Sequence, residues 1–129
     1  MPVVVDASAL VELLRNSPRA TAVIQAVGES QMLAPDLIDT EALSAIRRLE
    51  RAGAMPPERA EQAVDDLVDS AVRRVPVRPL LRSAWSMRET LSSYDAVYVA
   101  LARTLSCALV TGDRRLARAP GLDVALLTV

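Results

Sequence analysis

No histidine and no lysine occur in this chain of 129 residues. The first absence removes a histidine general base, a histidine metal ligand and a Ser-His-Asp triad. The second removes lysine-dependent chemistry, including the lysine with which a P-loop reaches phosphates. A hydrolase built from such a chain works through carboxylates, and therefore through a hard cation such as Mg²⁺ or Mn²⁺. Glycine is scarce as well, and the four present form no GxGxxG cluster. The single cysteine, Cys107, excludes an internal disulfide and fits a reducing compartment; it lies in an apolar run and reads as a small core residue. Phenylalanine is missing and there is one tryptophan, although 51% of the residues are hydrophobic, so Leu, Val and Ala must fill the core. Such a core favours close-packed helices.

The formal net charge of −1 gives no bulk attraction to nucleic acid or to an anionic membrane, so any such binding needs a local patch. All fifteen basic residues are arginine. That usage accompanies an alanine-rich composition and also suits bidentate phosphate recognition. No apolar segment approaches membrane-span length, no basic region precedes the first apolar stretch, and Asp6 interrupts that stretch. The expectation is one soluble cytoplasmic domain over residues 1–129.

Apolar runs alternate with helical patterns, which predicts an α/β domain with a mostly parallel central sheet flanked by helices. Strands are expected over Pro2–Asp6, Met32–Ala34, Arg74–Val77, Cys107–Val110 and Val124–Leu127. Helices are expected over Ser8–Leu14, from Ser17-Pro18 to Gly28, from Pro35-Asp36 to Ala52 with Gly53 just past the end, and from Pro56-Pro57 to Ser70. Three more follow over Pro79–Thr90, Ser93–Leu105 and Arg114–Ala119.

Four acids stand where a carboxylate serves folding poorly on its own. Asp6 ends one apolar run and Asp113 follows another, so in a parallel sheet both emerge at the carboxyl edge, where open α/β sheets bind ligands. Glu41 interrupts the inward stripe of its helix between Leu37 and Ala45, a position that demands a partner: a metal ion or an arginine. Asp95 falls in the first turn after Ser92 and Ser93. Asp6, Asp95 and Asp113 each also suit a helix N-terminus or cap. The four together are more specific than any one, and they suggest a divalent-metal site.

The segments Val3-Val4-Val5-Asp6-Ala7-Ser8-Ala9-Leu10, Pro35-Asp36-Leu37-Ile38-Asp39-Thr40-Glu41, Ser93-Tyr94-Asp95-Ala96-Val97-Tyr98-Val99-Ala100 and Leu109-Val110-Thr111-Gly112-Asp113-Arg114-Arg115-Leu116 resemble, in order and spacing, the four signature regions of PIN-domain nucleases. The small size is similar to the VapC toxin branch of toxin–antitoxin pairs. The resemblance implies a three-layer α/β/α domain and a metal-dependent endoribonuclease that hydrolyses RNA with water activated by Mg²⁺ or Mn²⁺. It implies Asp6, Glu41, Asp95 and Asp113 as the catalytic, metal-binding set, and a small VapB-like antitoxin as partner. Ser8 and Thr111 match the small hydroxyl residues that orient such a set; a helix cap and an ordinary strand residue are their other readings.

RNA positioning would then fall to arginines beside the acids. Arg114, Arg115 and Arg118 follow Asp113, while Arg47, Arg48 and Arg51 are further candidates; a solvated helix face is the alternative for each. Tyr94 and Tyr98 read as core or interface residues. Two other functions compete: a catalytically inactive RNA- or protein-binding module of the same fold, and a metal-dependent phosphatase, which would want an aspartate where Ser8 stands. Apolar residues over Val64–Val72 and around Trp85–Met87 are available for a homodimer or a partner segment as well as for the core.

Overall fold

The computed structural model describes all residues, 1–129. Five strands form the sheet: β1 Pro2–Val5, β2 Gln31–Pro35, β3 Arg73–Val75, β4 Leu109–Thr111 and β5 Leu126–Thr128. Their order is β3-β2-β1-β4-β5, and every pairing is parallel, so the sheet is wholly rather than mostly parallel. β1 lies at the centre because Val3, Val4 and Val5 can be buried on both faces, as a central parallel strand requires. Val4 pairs with Leu33 on one side and with Leu109 on the other.

The chain builds outward from β1 through β2 to β3, then crosses back to lay β4 on the other side of β1. That reversal puts the topological switch point between β1 and β4, where a crevice opens at the carboxyl edge. Seven helices cover the sheet: α1 Ala7–Leu14, α2 Ala20–Val27, α3 Ile38–Arg51, α4 Pro57–Val68, α5 Leu81–Trp85, α6 Ser93–Leu105 and α7 Arg114–Ala117. α1 to α4 pack on one another while α5 packs on α6, which lies against β1, β2 and β4; with the handedness that parallel crossovers follow, the two groups cover opposite faces, giving three layers. The innermost helix is α6, buried continuously from Ala96 to Ala102, where small side chains permit close approach to the sheet.

Several expected boundaries move. Pro35 closes β2 instead of opening a helix, since a strand end tolerates a residue without N–H; Asp36 N donates to Val75 O before α3 begins at Ile38. Gly53 does follow α3, at φ +75°, a left-handed conformation that glycine adopts without strain. Ser17 does not cap α2. Its hydroxyl accepts from Arg19 N at 3.1 Å in a turn, and the helix starts at Ala20. The helix expected over Pro79–Thr90 is a 3₁₀ turn, Arg78–Leu80, followed by α5 and a run of turns. Hydroxyls compete there for the backbone acceptors: Ser86 Oγ donates to Ser83 O and Thr90 Oγ1 to Met87 O.

Candidate active site

Asp6 caps α1 from the end of β1. Its Oδ1 accepts from Ala9 N at 3.0 Å and from Ser8 Oγ at 2.6 Å, while Oδ2 accepts from the Thr111 hydroxyl. Those two hydroxyls also accept: Ser8 Oγ from Gly112 N at 2.8 Å, and Thr111 Oγ1 from Asp113 N at 2.9 Å. The ends of β1 and β4 are thereby tied together through one carboxylate, only 5% exposed. A Cβ at Gly112 would stand 3.3 Å from Ser8 Oγ, so this junction leaves little room for any other residue.

Glu41 sits in the first turn of α3 and receives a hydrogen bond of 2.6 Å from the hydroxyl of Tyr98 on α6. Where an arginine is the expected non-metal partner, the structure supplies a neutral phenol, and no ion pair involves Glu41. Asp95 is the third residue of α6. Its backbone N–H donates to the capping Ser92 hydroxyl at 3.1 Å, and its carboxylate, which the Ser92 side chain and the charge of Arg115 favour in its ionised form, makes no ion pair. Asp113 caps α7 by accepting from Arg115 N at 2.9 Å and forms an ion pair with the Arg115 guanidinium at 3.3 Å.

All four carboxylates line one cavity of about 800 Å³ at the switch point. Burial pushes Asp6, Glu41 and Asp95 above the usual carboxylate range. Hydrogen bonds from Ser8, Thr111 and Ala9 oppose that rise at Asp6, and the Tyr98 hydroxyl opposes it at Glu41, while charge on Asp95 raises both. At Asp95 the second cause is repulsion from Asp113. Desolvation acts on Asp113 too, but the Arg115 bonds outweigh it and its carboxyl stays low. Tyr98 is pushed up by burial and then by its bond to Glu41, so it remains a hydrogen-bond donor.

This donor set is oxygen only and carries three carboxylates with no ion-pair partner, which suits a hard divalent cation. As the side chains stand, no three of them converge closely enough to hold an ion by themselves. Mg²⁺ fits such an open arrangement, because it is commonly held by one or two carboxylates and retains several waters.

Of the arginines singled out, Arg115 and Arg48 line the cavity, whereas Arg114, Arg118, Arg47 and Arg51 do not. Tyr98 is buried at 2% exposure, but Tyr94 is 63% exposed and lines the cavity, so only Tyr98 is a core residue. Sequence reasoning missed Tyr98 as a support for the site. A signal existed: it lies three residues after Asp95 on one helix face, and a buried tyrosine hydroxyl seeks a partner. Arg15, also in the lining, was missed entirely.

Fold and site together define a class: parallel α/β domains whose carboxyl edge gathers acids at a switch point. The PIN domain model matches residues 3–122, and the chain belongs to that family. Ribonuclease VapC3 of Mycobacterium tuberculosis is 47% identical over 118 residues, covering 91% of this chain and 86% of that protein. Among solved structures, PAE2754 from Pyrobaculum aerophilum superimposes with a TM-score of 0.65 at 29% identity, covering 98% of this chain and 83% of that one. VapBC2 from Rickettsia felis, solved bound to a DNA fragment from its promoter, shares the fold with a TM-score of 0.64 at 12% identity, covering 98% and 97%.

Proposed function

We propose that this chain is an endoribonuclease of the VapC toxin type, hydrolysing RNA phosphodiesters with Mg²⁺ or Mn²⁺ held among Asp6, Glu41, Asp95 and Asp113. The observation that carries the reading is the convergence of these four carboxylates on one cavity at the switch point, three of them without an ion pair. Similarity to a protein named Ribonuclease VapC3 supports RNA as substrate. When bound, the cation supplies an activated water and neutralises charge on the phosphate.

The protein's own part is orientation. Ser8 and Thr111 fix both oxygens of Asp6, and Tyr98 fixes one oxygen of Glu41. Asp95 keeps a carboxylate without an ion pair at the cavity, while Asp113 is steadied by Arg115. Attack by water rather than by the ribose 2′-hydroxyl suits a chain without histidine and leaves 5′-phosphate and 3′-hydroxyl ends.

The proposed partner is a small VapB-like antitoxin, and the proposed compartment is the cytoplasm; no helix is long and apolar enough to cross a membrane. Within the apolar stretches considered for a homodimer, Val68 and Trp85 are exposed, whereas Leu67, Val72 and Met87 belong to the core. The deciding experiment incubates the protein with mixed RNAs in EDTA and after adding Mg²⁺, Mn²⁺ or Ca²⁺. Cleavage should vanish in EDTA, return with Mg²⁺ or Mn²⁺, and respond poorly to Ca²⁺ with its looser geometry. Full activity in EDTA, with 2′,3′-cyclic phosphate ends, would overturn the reading.

A further inference from the structure

The cavity extends well beyond the acids. Its walls are one face of α1 and its C-cap, carrying Ser8, Val11, Glu12 and the capping Arg15, and one face of α3, carrying Glu41, Ala45 and Arg48. On each helix the arginine lies seven residues beyond the site residue, two turns or about 10 Å along the axis. The groove therefore begins at the acids of the site and carries, two turns on, two guanidinium groups from the end of α1 and from α3, with Glu12 as the one further acid in its lining. Neither Arg15 nor Arg48 makes an ion pair. Glu12, which also lines the groove, receives the Ser17 hydroxyl and forms no ion pair with either arginine, and the last carbonyl of α1, Leu14 O, is taken by Arg59 from α4. A helix C-terminus favours any nearby cation, but that effect does not separate Arg48 from Arg51, which shares the last turn of α3 and lies outside the cavity.

We propose that single-stranded RNA runs from the acids along this α1–α3 groove, with Arg15 and Arg48 binding backbone phosphates that neighbour the one cleaved. The proposal rests on the ribonuclease reading. A cluster of carboxylates repels the strand it must cut, so affinity has to come from beside it. Two guanidiniums without ion-pair partners at the groove walls supply bidentate phosphate contacts. The exposed ring of Tyr94 at the same cavity offers a face on which a base can stack.

The test uses the full chain. Steady-state cleavage of a fluorescent single-stranded RNA in Mg²⁺ is measured for wild type, Arg15→Ala, Arg48→Ala and Arg51→Ala. Binding of the same RNA is followed by anisotropy against NaCl in a non-cleaving Asp95→Asn background. Each groove substitution should raise KM by about tenfold with little change in kcat, as expected for a lost charge-assisted bond. Each should also reduce the slope of log affinity against log salt by about 0.7, the value for one single-strand phosphate contact. Arg51→Ala should match wild type, and all three melting temperatures should stay unchanged because these side chains lack protein partners. If wild type cleaves RNA but Arg15→Ala and Arg48→Ala behave like Arg51→Ala, the groove assignment is wrong and the ribonuclease reading stands. If wild type neither binds nor cleaves RNA in Mg²⁺ or Mn²⁺, the ribonuclease reading itself fails.

Discussion

Asp6 is at once a helix cap, a tie between two strands and a buried charge, and substitutions can separate these roles. Asparagine keeps an oxygen for Ala9 N and Ser8 Oγ and removes the charge. In EDTA at pH 7, Asp6→Asn should therefore melt at or above wild type. Alanine leaves the Ser8, Thr111 and Ala9 donors without their acceptor, so Asp6→Ala should lose about 1–3 kcal/mol. If Asn also melts clearly below wild type, the charge itself is structural. The same logic sets the pH dependence. Burial raises the folded pKa of Asp6, Glu41 and Asp95, so the native state holds protons that the unfolded chain has released. Stability of the metal-free protein should fall as pH rises from the unfolded carboxylate value of about 4 through the raised folded values. The gap between Asp6→Asn and wild type should close at acidic pH. Tyr98 calls for a different readout. Tyr98→Phe keeps the ring and removes only the hydroxyl, so it should weaken Mn²⁺ binding about 10–100-fold, the usual effect of losing a bond that orients a ligand. Unchanged Mn²⁺ affinity would show that the hydroxyl does not position Glu41.

Among the elements, α6 carries the most consequence, because it packs against the sheet and delivers both Asp95 and Tyr98. Its start is set by Ser92, whose hydroxyl accepts from the backbone of Asp95 itself. Ser92→Ala should cost about 1 kcal/mol of stability, the typical value for an N-cap, measured by urea denaturation. RNA cleavage should fall further than that loss explains, because the freed first turn carries an acid of the site; cleavage unchanged under folding conditions would contradict this. The helix was legible in advance because its cap and apolar run are local. The α5 region was not. A helical apolar pattern over 79–90 is broken by serine and threonine hydroxyls, and their competition for carbonyls leaves the hydrophobic period visible in sequence while the helix is lost.

For the whole molecule, the switch point turns separate acids into mutual neighbours, and a cation bound there should stabilise the fold. By mass action, Mn²⁺ or Mg²⁺ at a hundredfold excess over its dissociation constant should add about 2.7 kcal/mol, seen as a rise in melting temperature at neutral pH. The rise should shrink in Asp95→Asn and toward acidic pH, where protons compete for the carboxylates. No shift with either ion, at concentrations that support cleavage, would place the cation requirement elsewhere than in this cavity.

What the sequence determined alone was local or carried by family pattern: the alternation of strand and helix, the acids at Asp6 and Asp113 that follow apolar runs, and the interruption of the α3 stripe by Glu41. These are legible because side-chain period, capping chemistry and the placement of an acid after an apolar run act over a few neighbouring residues. Tertiary structure alone decided that β1 lies between β2 and β4, that Ser8 reaches Gly112, that Glu41 meets a tyrosine 57 residues away rather than an arginine, and that Tyr94 faces the cavity while Tyr98 is buried. Strand order and helix rotation are fixed by packing between segments distant in the chain. That packing depends on how all the elements close around one core at once, which no short window of sequence contains.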